Sequence, residues 1–163
     1  MKRKKSIYSS NEEAYENVIR HMKAIYDRLD DELERKLVTE SIKMILRKKS
    51  EYEAPKFVSV ELNELLIKNN KTIEKHGDIH EINKKITPII LDHCNPISDL
   101  VDRYVKNEIS NKQLIEENYT CGITKEEDNR LNSKHLKSRR VDGWQQAYKD
   151  CDIDFLKHVS IHN

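Results

Sequence analysis

Ile86-Thr87-Pro88-Ile89-Ile90-Leu91-Asp92-His93-Cys94-Asn95-Pro96 is the stretch on which the reading of this chain turns. Its apolar residues predict a β-strand over 86–91, and Pro96 predicts its end, because proline lacks the N–H that a ladder needs. An acid and an imidazole then stand side by side. Neighbouring residues on a strand face opposite ways, so Asp92 and His93 share a site only where the strand ends or bends. In that setting the pair suits a metal ligand beside a general base.

Upstream, two helices are expected. Ser10 with Glu13 has the spacing of a capping box, in which each side chain satisfies the other's free backbone N–H. Ala14, Val18, Met22, Ile25 and Leu29 follow at helical spacing, widened by Ile19 and Tyr26. Asp30-Asp31 suits a second helix start, and Leu33, Leu37, Ile42, Ile45 and Leu46 give that helix an apolar face. Arg47-Lys48-Lys49 suits its C-terminus. The two predict an antiparallel hairpin whose stripe, Met22, Ile25 and Tyr26 included, meets either the core or a second copy.

Pro55 marks a boundary. A helix is expected over 59–68, a polar loop over 69–85, and a short helix through Ile97, Leu100, Val101, Tyr104 and Val105. Ser110 with Gln113 and Thr124 with Glu127 read as two more capping boxes, the latter opening a helix that carries Leu131. Tyr119 to Ile123 is a second candidate strand. Lys134, Lys137, Arg139 and Arg140 make the last third basic, next to Trp144 and Tyr148. The fold class is thus α+β and predominantly helical, with one or two short strands. Residues 1–9 read as a basic tail, 10–54 as a helical hairpin and 55–163 as an α+β domain.

Composition limits the function. Of 163 residues, 36% are apolar and 36% charged, which predicts a lean core under a heavily solvated surface. Thirty basic residues against 29 acidic leave a net charge of +1, so binding of nucleic acid needs a local patch. Three widely spaced cysteines, Cys94, Cys121 and Cys151, suit reduced, buried thiols better than disulfides or a zinc finger. Neither a membrane span nor a signal peptide is visible, and the expectation is a cytoplasmic protein without a membrane partner.

From about residue 56 onward the order of motifs carries a resemblance. Asp92-His93-Cys94-Asn95-Pro96 is followed by Ile123-Thr124-Lys125-Glu126-Glu127-Asp128, Leu136-Lys137-Ser138, Asp142-Gly143-Trp144, Tyr148 and Ile153-Asp154-Phe155. This resembles a group of small prokaryotic HNH-nuclease-like proteins whose pattern is Glu/Asp-His-x-x-Pro, Ile-Thr-Lys-Glu-Glu, Leu-x-Ser, Gly-Trp and a closing Tyr with Ile-x-Phe. Three departures stand out: Asp92 replaces the usual Glu, Arg140-Val141 replaces Met-Pro, and the Asn and second His of the HNH name have no clear counterpart.

The resemblance implies an HNH-like C-terminal part and metal-dependent phosphodiester hydrolysis, in a mobile-element or defence setting by analogy. It implies His93 as the base. Asp92 with Asp128 or Asn129 would hold Mg2+ or Mn2+, ions that prefer hard oxygen ligands. Lys125, Lys137, Arg139 and Arg140 would contact phosphates. The plain reading of the same residues has Asp92 capping the helix after Pro96 and His93 on a backbone carbonyl. Trp144 reads as core. His76 and His80, four apart, and a Cys121/His93 nucleophile pair are weaker alternatives. Two other functions compete: a non-catalytic interaction protein, including a homodimer through the N-terminal helices, and a nonspecific nucleic-acid binder.

Overall fold

The computed structural model describes residues 12–74, 76–138 and 140–157, apart from the side chain of residue 76. The basic tail, the expected cap at Ser10, and Arg139 lie outside the described residues. The chain forms two compact units, one of residues up to Tyr52 with Ile97–Asn118, the other of Glu53–Pro96 with the residues from Tyr119 onward. The 97–118 segment, read from the sequence as part of the second domain, therefore packs with the N-terminal hairpin.

In the first unit, α1 (Glu12–Tyr26) and α2 (Glu32–Glu51) make the hairpin. The Asp31 carboxylate accepts from the Glu34 N–H and sets the start of α2. α5 (Ile97–Val105) and α6 (Asn111–Glu116) complete the unit, and the capping box of Ser110 and Gln113 forms at α6 as its spacing predicts. Ile19, Ile42, Leu46, Leu100, Val101 and Leu114 are the heart of this core. The apolar residues of α2 do not share one face, however. Ile42 and Leu46 are fully buried, whereas Leu33, Leu37 and Met44 are 66, 62 and 58% exposed. At about 100° per residue, the nine steps from Leu33 to Ile42 amount to about two and a half turns, so the two sets lie on opposite sides.

The second unit is built on a four-stranded sheet in the order β2-β3-β1-β4. β1 is Phe57–Ser59, β2 is Ile90–His93, β3 is Thr120–Ile123 and β4 is Phe155–Lys157. β1 runs parallel to β3, while the outer strands β2 and β4 run antiparallel to their neighbours. The remaining helices are α3 (Val60–Lys68), α4 (His76–Lys85), α7 (Lys125–Ser133) and α8 (Trp144–Asp150). Two cores sandwich the sheet. One gathers Cys121, Ile123, Leu131, Trp144 and Tyr148; the other gathers Val58, Leu62, Ile73, Ile79 and Ile82. Gly122 lets α3 close on the sheet, because a Cβ there would stand only 3.2 Å from Leu62 Cδ2.

Two local expectations change. The polar stretch before the strand is not all loop: α4 forms because Ile79 and Ile82, 4 and 1% exposed, anchor it in the second core. The strand itself is shifted towards the C-terminus. The Ile86 N–H still bonds to the Ile82 carbonyl, Pro88 has no N–H to give, and the Ile89 N–H goes to Asn83 Oδ1. The ladder therefore starts at Ile90 and runs through His93, which pairs with Thr120. No helix among the described residues is long and apolar enough to cross a membrane.

Candidate functional site

Asp92 and His93 lie inside β2, so the pleat separates them. Ile90 packs into the core around Tyr148 and Leu91 into the core around Leu62, which fixes the two faces of the strand. Asp92 follows Ile90 and His93 follows Leu91. Asp92 is 4% exposed and His93 is half-buried. The chain bends only after the pair, at Cys94 and Asn95, and the ladder holds both residues extended up to the Cys94 N–H, which donates to the Tyr119 carbonyl at 3.1 Å.

What Asp92 meets is a protein cation. Arg140 Nη2 donates to Asp92 Oδ2 at 2.6 Å, and the Tyr148 hydroxyl donates to the same oxygen at 2.7 Å. The ion pair is dry: its side chains are 1% exposed for Arg140 and 3% for Asp92. Arg140 Nη1 donates to the carbonyls of His93 and Cys94, both at 2.7 Å, and its Nε to the Leu136 carbonyl at 2.8 Å. A guanidinium offers five N–H groups in a fixed plane, and four bonds from three nitrogens hold this one rigidly. Its plane also lies 5.3 Å from the Tyr148 ring centre. Burial, then the neighbouring Asp92 charge, push the Tyr148 phenol far above its ordinary range, so it stays a neutral donor.

Aromatic rings close this network off from water. Trp144 stands 5.5 Å from Tyr148, 5.0 Å from Phe57 and 4.7 Å from Phe155, measured between ring centres. Trp144 is thus core, as its spacing from Tyr148 suggests. Cys94 and Cys121 are fully buried beside the network, and desolvation pushes both thiols up. A thiol held neutral in this way is a poor nucleophile, which removes the basis for a Cys121/His93 pair.

Asp128 sits in the first turn of α7 and is 1% exposed. Its carboxylate accepts from Lys125 Nζ at 2.8 Å and from Lys137 Nζ at 2.5 Å, while Asn129 is exposed. Burial alone would raise this carboxyl; the two ammonium groups outweigh it and hold the pKa below the ordinary aspartate value. Glu127, fully buried one residue earlier, has a structural task. Its Oε2 accepts from the Thr124 N–H at 2.7 Å, closing the capping box, and from Ser59 Oγ at 2.6 Å. Ser59 is also the N-cap of α3, so one carboxylate ties together the starts of two helices.

The structure therefore brings Asp92 to Arg140, and Asp128 to Lys125 and Lys137, as two separate ion-pair groups. As placed, these side chains do not fit Mg2+ or Mn2+: each acid already faces protein cations. Among the described residues no three His, Cys, Asp or Glu side chains are positioned to share a metal ion. Asp92 does not cap the helix after Pro96 either. Sequence reasoning missed that Arg140 and Tyr148 are its partners. The available signal was the Arg140-Val141 departure, which places an arginine a few residues before two aromatic core residues. No family model, curated protein or solved structure matches this chain.

The lysine–Asp128 group makes acid stability testable. Its folded pKa is depressed, so its contribution is complete above about pH 4, the ordinary aspartate value, and is lost as pH falls through the folded value. Asp128→Asn is expected to lower stability at neutral pH and to flatten the acid limb of a urea-midpoint titration. An unchanged acid limb would show that the two lysines do not stabilise the charged carboxylate.

Proposed function

We propose that this chain is a non-catalytic interaction protein that docks another protein chain on the outer face of its N-terminal hairpin. The observation that carries this reading is the exposure of Leu33, Leu37 and Met44, turned away from a core that α2 already fills with Ile42 and Leu46. Single exposed apolar residues are ordinary; three along one face of a 20-residue helix are a docking stripe. The sheet unit acts as scaffold, because its acid-imidazole step is divided between two faces and its acid is held by Arg140 and Tyr148. On this reading the resemblance to HNH-like proteins reflects ancestry, and many of its pattern residues serve packing: Asp92, Glu127, Trp144, Tyr148 and Ile153 are all buried.

The test is a plasmid and RNA cleavage assay with Mg2+, Mn2+ or EDTA, run beside His93→Ala. No metal-dependent cleavage above buffer is expected from either protein. Metal-dependent cleavage that disappears in His93→Ala would overturn the proposal and restore nuclease chemistry.

One observation favours a second reading, nonspecific binding of nucleic acid. Lys125 and Lys137 are about half exposed (50 and 44%) and hold two ammonium groups at the surface around a single buried carboxylate, beside the exposed Glu126. Phosphate contacts there predict retention on DNA or RNA at low salt that falls steeply as salt rises. Lys125→Ala/Lys137→Ala should then weaken retention and reduce the salt dependence. Absence of retention at low salt removes this reading.

A further inference from the structure

The outer face of α2 also carries information about what covers it. The helix is polar in two senses: Asp31, Glu32 and Glu34 cluster at its start, and Arg47 and Lys48 are exposed near its end. Leu33, Leu37 and Met44 share one side, within about 40° of one another at 100° per residue, and the exposed Glu40 and Glu51 lie on that side too. Glu34 and Lys48 flank this stripe on the same side, Lys48 being paired with Glu51 of its own helix at 2.6 Å. A partner that matches both features needs an apolar stripe with basic groups opposite the acidic end and acidic groups opposite the basic end. The same helix, turned end for end, has that arrangement.

We infer that the occupant is a second copy of this chain, with the two α2 helices packed antiparallel about a two-fold axis. The inference rests on the docking face proposed above and deepens it by naming the partner. A two-fold axis makes every favourable contact occur twice, as isologous interfaces require. Leu33 and Leu37 of one copy lie towards the Met44 region of the other, and the Glu34 end of each helix meets the Lys48 end of the other. A parallel pairing would set like charges together at both ends, a destabilising arrangement. The 20-residue helix is about 30 Å long, which gives the pairing a continuous line of contact. Val18 and Ile25 on α1, 46 and 51% exposed, show that the hairpin has further uncovered apolar surface.

Sedimentation velocity of the full chain, over a hundredfold range of concentration, tests the inference. The mass is expected to rise from 19.4 kDa towards twice that value. Leu37→Glu should hold the protein at the monomer mass across the range, with an unchanged far-ultraviolet spectrum and thermal midpoint at low concentration. Glu34→Lys should weaken association at least severalfold, and adding Lys48→Glu to it should restore most of the loss. That rescue separates antiparallel pairing from mere hydrophobic clustering. A monomer at every concentration, or a dimer indifferent to Leu37→Glu, overturns the inference.

A photo-crosslinking residue at position 37, introduced in cells, separates this failure from failure of the docking reading. An adduct of twice the chain mass supports the second copy. An adduct with a different protein, beside monomeric behaviour in sedimentation, overturns self-pairing and leaves the docking face standing. No discrete adduct together with monomeric behaviour overturns both.

Discussion

The buried ion pair between Asp92 and Arg140 is the constraint around which the sheet unit is arranged. A charge taken out of water costs several kcal/mol unless its partners replace the lost hydration, so this pair can exist only with its surroundings fully formed. Asp92 receives a guanidinium N–H and a phenol O–H on one oxygen, and Arg140 spends its remaining bonds on the carbonyls of His93, Cys94 and Leu136. Those bonds join the end of β2 to the segment between α7 and α8 and to α8 itself. Trp144, Phe57 and Phe155 then cover the network with rings, which keeps it dry. The acid that most resembled a site residue is thereby placed at the centre of a core.

The same logic recurs on a smaller scale at Glu127 and Asp128. Two consecutive acids in the first turn of α7 are both buried, and each is held differently: Glu127 through Oε2 by the Thr124 N–H and Ser59, with Arg130 Nη2 3.9 Å from its Oε1, and Asp128 by two lysines. Both also lie at a helix N-terminus, where negative charge is favoured. A chain with so lean an apolar fraction specifies this unit partly through buried polar groups, two of which are matched to partners distant in sequence. Asp92 and Arg140 are 48 residues apart, and Ser59 and Glu127 are 68 apart.

That separation explains what the sequence discloses and what it does not. Capping boxes at Ser110 and Thr124 act within four residues, and both form as their spacing predicts. The hairpin, α5 and β3 likewise follow from local periodicity. The stripe of α2 divides because nine positions span about two and a half turns, a fact contained in the sequence that an unphased list of apolar residues conceals. The strands β1 and β4 are three residues each, too short to show alternation, and they exist because β3 pairs with β1 and β1 in turn pairs with β4. The site was legible as an unusual dipeptide. Its partner was not, because nothing near Asp92 in sequence announces an arginine in the loop before α8.

A double-mutant cycle of urea-unfolding stability on Asp92 and Arg140 tests this account most directly, with Asp92→Leu, Arg140→Met and the two combined. Each single change leaves an uncompensated buried charge and is predicted to cost about 3–5 kcal/mol, while the pair of changes recovers most of that loss. Single variants as stable as the parent, with Asp92→Leu instead abolishing a metal-dependent cleavage activity, would contradict it and return Asp92 to a catalytic role.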